Sequence, residues 1–239
     1  MDTKAETVER LTARLTAGIE LRGRVRTDAE ATRRRLALRG WQSRRLEGTH
    51  GDLLADPRYH DTAVFFLTEL YGGKDTVKRD ADIARVVPTV AKLLPVSGLE
   101  TVADAIELDT LSEILDAEMV GVLGARVESL DAAAYGEAYR AVGRRGDREH
   151  QIDLIEHLGR ALDHLTHHAF AGTALAMMRR PARLAGFGDL QTFLETGHRA
   201  LHKMGGVDEF LELVTSRERA VLTGLFEGDD TVLARSWTH

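Results

Sequence analysis

The chain has 239 residues, 43% of them hydrophobic, and a formal net charge of −6 at pH 7. This length and composition provide for one substantial hydrophobic core. The sequence contains no cysteine, which excludes disulfides, thiolate zinc sites and cysteine nucleophiles.

The sequence carries no signal for a membrane or for export. No apolar run approaches the roughly 20 residues that a membrane-spanning helix needs. The amino terminus reads MDTKAETVER and lacks the apolar stretch of a secretory signal. Only four prolines occur, and no Ser/Gly/Pro-rich tract marks a linker. We therefore expect a soluble, cytoplasmic protein with residues 1–239 in a single domain and no membrane association.

The first part of the chain has helical spacing. Val8, Leu11 and Leu15 recur at intervals of three or four residues and form one apolar stripe. Thr27-x-x-Glu30 has the capping-box form, in which a hydroxyl and a carboxylate bind free amide groups at a helix start. We expect residues 1–48 to be helical, either within the domain or as a peripheral arm.

An arginine-rich segment overlaps these first helices, with nine arginines between residues 22 and 45. Such a helix can bind nucleic-acid phosphates. It can also pair with the acidic remainder of the chain, within one subunit or across a dimer. No helix-turn-helix, RNP or zinc-finger pattern occurs. The sequence therefore favours ion pairing over nucleic-acid binding.

Residues 65–82 read FFLTELYGGKDTVKRDAD, an aromatic amphipathic segment followed by two glycines and alternating charges. The segment resembles the signature of the bacterial FFLEELY motif proteins. The matching positions are Phe65, Phe66, Leu67, Glu69, Leu70 and Tyr71, whereas Thr68 departs from the motif. The resemblance implies a bacterial protein, and it implies no particular activity.

Four polar side chains at and after this motif are candidate ligand-binding residues. Arg79 and Asp80 suit an ion pair that fixes how two helices meet, with ligand binding as the alternative. Tyr71 and Asp75 lie nearer the glycine turn, so they are the better candidates for contact with a ligand.

Helical patterns continue through the rest of the chain. No alternating strand run or hairpin signal interrupts them. Gly205 and Gly206 suit a left-handed helix stop, and residues 228–239 read as a frayed tail. The other predicted helices cover about 58–71, 79–94, 98–123, 132–144, 147–167, 170–180, 188–204 and 207–226. The sequence predicts an all-α, multi-helix bundle of about eight to ten helices.

Arg148 and Glu149 begin a polar stretch of the helix predicted at 147–167. Glu149, Asp153 and either His157 or Glu156 fall on one face of that helix. Such spacing aims several ligands at one point, and a solvated helix face shows the same spacing. Arg148 and Glu149 are therefore candidate ligand-binding residues, with an ordinary surface face as the alternative.

Glu195, His198 and His202 lie on one face of the helix predicted at 188–204. The first two residues have the Glu-x-x-His form that carboxylate-bridged di-iron bundles use twice. Such bundles also need single glutamates from two further helices. A divalent metal held by these three residues is therefore an alternative hypothesis, and no other cofactor is predicted.

The common enzyme motifs are absent from the sequence. It contains no phosphate-binding P-loop, no dinucleotide fingerprint, no His-Glu-x-x-His helix and no Gly-x-Ser-x-Gly elbow. This favours a non-catalytic module that binds a protein partner or a small ligand, and a homodimer is one assembly compatible with the charge asymmetry. The alternative is a di-iron-like enzyme with carboxylate and histidine ligands.

Met177 and Met178 either line an adaptable groove or fill the core.

Overall fold

The structure is a computed structural model. It describes residues 4–9, 11–13, 16, 20, 28–68, 96–168, 171–184, 186 and 188–235. The helices are α1 Ala29–Thr49, α2 Gly51–Ala55, α3 His60–Phe66, α4 Val96–Leu123, α5 Ala132–Val142, α6 Arg145–Thr166, α7 Ala171–Leu184, α8 Gly188–Met204 and α9 Asp208–Glu227. Short 3-10 helices, Gly124–Ser129 and Asp230–Ala234, follow α4 and α9. These residues contain no strand, so the predicted all-α, multi-helix bundle is confirmed.

Two helix ends show how local sequence sets the boundaries. The carboxylate of Asp28 accepts hydrogen bonds from the backbone N–H groups of Glu30 and Ala31 and so caps α1. The predicted cap at Thr27 was therefore wrong by one residue. Gly205 and Gly206 have φ angles of 74° and 133°, which confirms the predicted left-handed stop after α8.

The interior contains two main hydrophobic clusters. The first joins α1, α4, α5 and α9 through Leu38, Met119, Leu123, Val127, Tyr135, Ala138, Tyr139, Val221, Leu225 and Val232. The second joins α2, α3, α8 and α9 through Leu53, Tyr59, Ala63, Leu201, Met204, Val207, Phe210 and Leu211. Helix α9 contributes to both clusters and therefore connects the two halves of the bundle. In the described part of the chain, no helix has both the length and the apolar character to cross a bilayer.

Both ends of the chain are more integrated than the sequence suggested. Leu11 is buried against Ala103 and Ile106 of α4, and Leu38 of α1 is fully buried. The described part of residues 1–48 is therefore not a peripheral arm. Val232 is only 1% exposed. The frayed-tail prediction was thus wrong for the part of the tail that the structure describes, because burial of Val232 anchors it.

Helix α1 is attached to α4 by a buried network of ion pairs. Arg35 donates from Nη1 to both carboxylate oxygens of Glu113, at 2.8 and 2.7 Å. Arg39 donates from Nη2 to Glu113 at 2.7 Å and from Nε to Asp116 at 2.9 Å. Gln42 completes the network with a 3.1 Å bond to Asp116. The arginine-rich segment therefore pairs with acids of its own subunit, as the sequence favoured.

A substitution at Glu113 tests whether this network attaches α1 to α4. Its side chain is 1% exposed, and Glu113→Gln leaves Arg35 and Arg39 short of a buried counter-charge. We expect this substitution to lower the free energy of unfolding by about 3–5 kcal/mol, measured by urea denaturation. The matched control is Glu128→Gln, which removes an exposed pair with Arg33 and should cost less than about 1 kcal/mol. Equal losses in the two variants would contradict a structural role for the network.

Candidate ligand groove between α7 and α8

Helices α7 and α8 pack against each other and leave a groove between them. Gly172 permits the close approach, because a Cβ atom there would lie 3.1 Å from Cε1 of His198. Gln191 donates a hydrogen bond from α8 to the backbone carbonyl of Leu175, at 2.6 Å. The groove has a volume of about 500 Å³ and is lined by Gly172, Leu175, Ala176, Arg179, Glu195, His198, Arg199, His202 and Lys203. Helix α7 therefore contributes apolar surface together with Arg179, and α8 contributes the other polar groups, which are mainly basic.

Two of the lining cations are already neutralised by carboxylates. Arg179 donates from Nε and Nη2 to Glu195 at 2.8 to 3.2 Å, and Gln191 adds a bond of 2.7 Å. The bonds from Arg179 and Gln191 lower the pKa of Glu195 to about 2. Lys203 pairs with Asp61 of α3 at 2.7 Å. The Arg179–Glu195 pair connects α7 to α8, and the Lys203–Asp61 pair connects α8 to α3. Each pair leaves little net charge at Arg179 and at Lys203.

Three other cationic or protonatable groups of the groove make no hydrogen bond or ion pair to a carboxylate among the described residues, and Arg199 acts on Asp61 only electrostatically. They are His198, Arg199 and His202, at consecutive and i,i+4 positions of α8. The rings of His198 and His202 stack with centroids 5.8 Å apart. Burial lowers the pKa of His198, and the neighbouring His202 lowers it further. The wall is thus an anion-attracting surface that carries the charge of Arg199 and gains a further charge when His198 is protonated.

The metal hypothesis placed Glu195, His198 and His202 together, and they do share this groove. The carboxylate of Glu195, however, is engaged by Arg179 and Gln191. In the described ranges, no group of three or more His, Asp or Glu side chains is placed to hold a metal ion. The geometry therefore gives more support to an anionic ligand than to a metal.

The other two candidates that the structure describes, Arg148 and Glu149, do not share one site. Glu149 is half exposed and pairs with Arg145. Arg148 is buried on another side of α6, with Cζ 3.7 Å from the ring centroid of Tyr139. The remaining candidates, Tyr71, Asp75, Arg79 and Asp80, lie outside the described residues.

A second buried polar cluster was not predicted from the sequence. Arg45 of α1 donates from Nη1 to both carboxylate oxygens of Glu218 of α9, at 2.6 and 2.7 Å. Nε2 of His50 lies 3.1 Å from the same carboxylate. Glu218 is 168 residues from His50 and farther still from Arg45, so no local spacing pattern reveals the cluster.

The Glu218 cluster makes stability depend on acid pH. Burial alone would raise the pKa of Glu218, but Arg45 and His50 outweigh burial and hold it at about 2, below the ordinary value of 4.5. Because the folded-state pKa is depressed, the carboxylate stabilises the fold above about pH 4.5, and this contribution is lost as the pH falls towards 2. From the shift we expect on the order of 3 kcal/mol, measured by urea denaturation across this range.

Two variants isolate this contribution. Glu218→Gln should remove the part of the pH dependence between about pH 4.5 and 2 that Glu218 contributes, while other carboxylates with a lowered pKa, such as Glu195, keep theirs. Glu212→Gln, at an exposed position on the same helix, should leave the pH dependence as in the wild type. An identical pH dependence in all three proteins would show that Glu218 is not responsible.

Comparison with known proteins identifies a family and leaves the function open. No curated protein and no solved structure matches the chain. The model of the family described as "Domain of unknown function (DUF8198)" matches residues 21–232, which include α1 to α9 and most of the final 3-10 helix. The chain therefore belongs to the DUF8198 family.

Proposed function

We propose that the protein is a non-catalytic binding module and that its α7–α8 groove takes a small anionic ligand with an apolar body. One observation carries the proposal. His198, Arg199 and His202 make no hydrogen bond or ion pair to a carboxylate among the described residues, and they line a groove together with the apolar side chains of Leu175 and Ala176. The neighbouring cations Arg179 and Lys203 are neutralised, so the anion-attracting character concentrates on these three residues.

The size and lining of the groove agree with this proposal. A volume of about 500 Å³ lies within the range of small-molecule sites. Leu175 and Ala176 offer apolar surface, and Arg199 offers a guanidinium that binds carboxylate, sulfonate or phosphate oxygens well. An anionic head with an apolar body therefore matches both sides of the groove.

The same groups favour binding over catalysis. A carboxylate with a pKa of about 2, such as Glu195, is a weak base near neutral pH. The described lining residues include no serine, threonine or tyrosine that would serve as a nucleophile. We therefore assign the histidines and Arg199 to ligand recognition.

The fluorescent probe 8-anilinonaphthalene-1-sulfonate has the required chemistry, an aromatic body with one sulfonate. We expect Arg199→Ala to weaken its binding about tenfold, measured by fluorescence titration, because one charge-assisted contact is lost. N-phenyl-1-naphthylamine, which lacks the sulfonate, should bind wild type and Arg199→Ala alike. Gly172→Leu should weaken the binding of both probes, since the leucine side chain would enter the groove beside His198.

Lowering the pH from about 7.5 to 5.5 should tighten sulfonate binding, because the anion favours protonated histidine.

The control variant is Arg126→Ala, which removes an exposed arginine that pairs with Glu137 outside the groove. It should bind both probes as the wild type does. Equal sulfonate affinity in wild type, Arg199→Ala and Gly172→Leu would reject the groove as the binding site.

A second candidate function is protein binding through the outer face of α7. Met177, Met178 and Leu184 are 74%, 53% and 81% exposed, so the methionines do not fill the core. Arg180 and Arg183 lie among them, and α7 contains no acidic residue. Methionine surfaces adapt to amphipathic helices. This combination of charge and apolar exposure fits an amphipathic helix with acidic flanks.

A designed peptide tests this second function. The peptide carries leucines at helical spacing with flanking glutamates, and its control carries lysines in place of the glutamates. We expect the acidic peptide to bind more tightly in fluorescence anisotropy, and Met177→Glu/Met178→Glu to weaken it at least about tenfold. Equal binding of the two peptides, or no effect of the substitutions, would rule out an acidic helix as the partner of this face.

A further inference from the structure

Methionine supplies all of the oxidisable sulfur in this protein. The sequence has five methionines and no cysteine. A hydroperoxide that reacts with sulfur in this chain therefore reacts with a thioether. The structure describes four of these methionines, and Met1 lies outside the described residues. The accessibility of the four side chains decides where such an oxidant acts.

The four described methionines fall into two classes of exposure. Met119 and Met204 are 0% and 3% exposed, and they belong to the first and second hydrophobic clusters. Met177 and Met178, which we call the α7 methionine pair, are both more than half exposed. Because the oxidant must reach the sulfur atom, susceptibility follows exposure. The α7 methionine pair should therefore react first.

The surroundings of the α7 methionine pair allow oxidation without loss of the fold. None of the side chains of α7 is buried, so a sulfoxide there remains in contact with water. Other groups attach α7 to α8. Arg179 pairs with Glu195, and Gln191 binds a backbone carbonyl of α7. A sulfoxide at Met119 would instead place an unpaired polar group in the core. The α7 methionine pair thus suits a reversible modification.

Oxidation would change the chemistry of the outer face of α7. Met177 and Leu184 are seven residues apart and share one side of the helix, with Arg180 between them. A sulfoxide is polar, so oxidation converts an adaptable apolar side chain into a hydrated one. The arginines of the face are not affected. Oxidation therefore removes apolar character from this face and leaves its charge unchanged.

We propose that Met177 and Met178 form a modification site that a hydroperoxide converts to methionine sulfoxide, and that this change switches off binding by the outer face of α7. The thioether sulfur attacks one peroxide oxygen, and the S–O bond forms as the O–O bond breaks. The proton of the attacked oxygen passes to the departing oxygen, which leaves as water or as an alcohol. Sulfur is oxidised by two electrons, and the peroxide is reduced by two. The loss of binding rests on the second function proposed above, whereas the selective oxidation does not.

Peptide mapping by mass spectrometry tests the selectivity. The folded protein is treated with limiting hydrogen peroxide and then digested. We expect Met177 and Met178 to gain oxygen at least about tenfold faster than Met119 and Met204, because of their exposure. The circular dichroism spectrum and Tm should stay those of the untreated protein. Similar rates at all four positions, or unfolding when the α7 methionine pair is oxidised, would overturn the proposal.

Hydrophobic interaction chromatography measures the apolar character of the face without any partner. Oxidation should shorten the retention of wild type. The matched control is Met177→Leu/Met178→Leu, which keeps apolar side chains of similar volume that peroxide does not modify. Its retention should be the same before and after treatment. Unchanged retention of oxidised wild type, or equal shortening in the control variant, would overturn the proposal.

The acidic peptide described above tests the switch itself. We expect oxidation of wild type to weaken peptide binding at least about fivefold, and reductases for the two sulfoxide epimers to restore it. Met177→Leu/Met178→Leu should bind the peptide alike before and after peroxide. Undiminished binding by oxidised wild type would overturn the switch. If untreated wild type does not bind the peptide, the second proposed function fails, and peptide mapping and chromatography decide the modification site separately.

Discussion

The buried ion-pair network between α1 and α4 is the interaction on which the remaining packing depends. Glu113 and Asp116 face Arg39 from one side of α4. Burying these two carboxylates would strongly destabilise the fold if the guanidinium groups of α1 did not pair with them. Once α1 is held there, Leu38 enters the first hydrophobic cluster. Arg45 then reaches Glu218 of α9. Charge pairing therefore sets the position of the helix that organises one half of the core.

The groove depends on the other half of the core. Gly197 lets Phe65 pack directly against α8, because a Cβ atom there would lie 2.8 Å from Cζ of Phe65. Leu201 and Met204 continue the buried face of the same helix. His198 and His202 each follow a residue of this buried face, Gly197 and Leu201, so they lie about 100° around the helix and line the groove beside α7. The anion-attracting wall is thus one flank of a helix whose orientation is determined by its apolar contacts.

Sequence periodicity was sufficient to predict helices whose ends are marked by nearby residues. It was insufficient to predict contacts between residues that are far apart in the sequence. The prediction of a helix at 188–204 matches α8, since its apolar stripe and glycine stop are both local signals. Docking of the tail was missed because Gly136 and Gly224 make room for Asp230 and Val232, and no spacing pattern reports such pairs. For the groove, by contrast, helical spacing alone correctly predicted that Glu195, His198 and His202 share one face of α8. The engagement of Glu195 by Arg179 was not predicted, because that pairing requires α7 to lie alongside α8.

The histidines of α8 can report ligand binding in the groove directly. The chain contains ten histidines, and their ring resonances can be followed individually by NMR during titration with the sulfonate probe. Binding in the groove predicts that the resonances of His198 and His202 shift together and that the pKa of His198 rises, because the anion stabilises its protonated ring. Unchanged resonances for both rings, with the probe bound and other histidines shifted, would contradict the central claim that the α7–α8 groove is the ligand site.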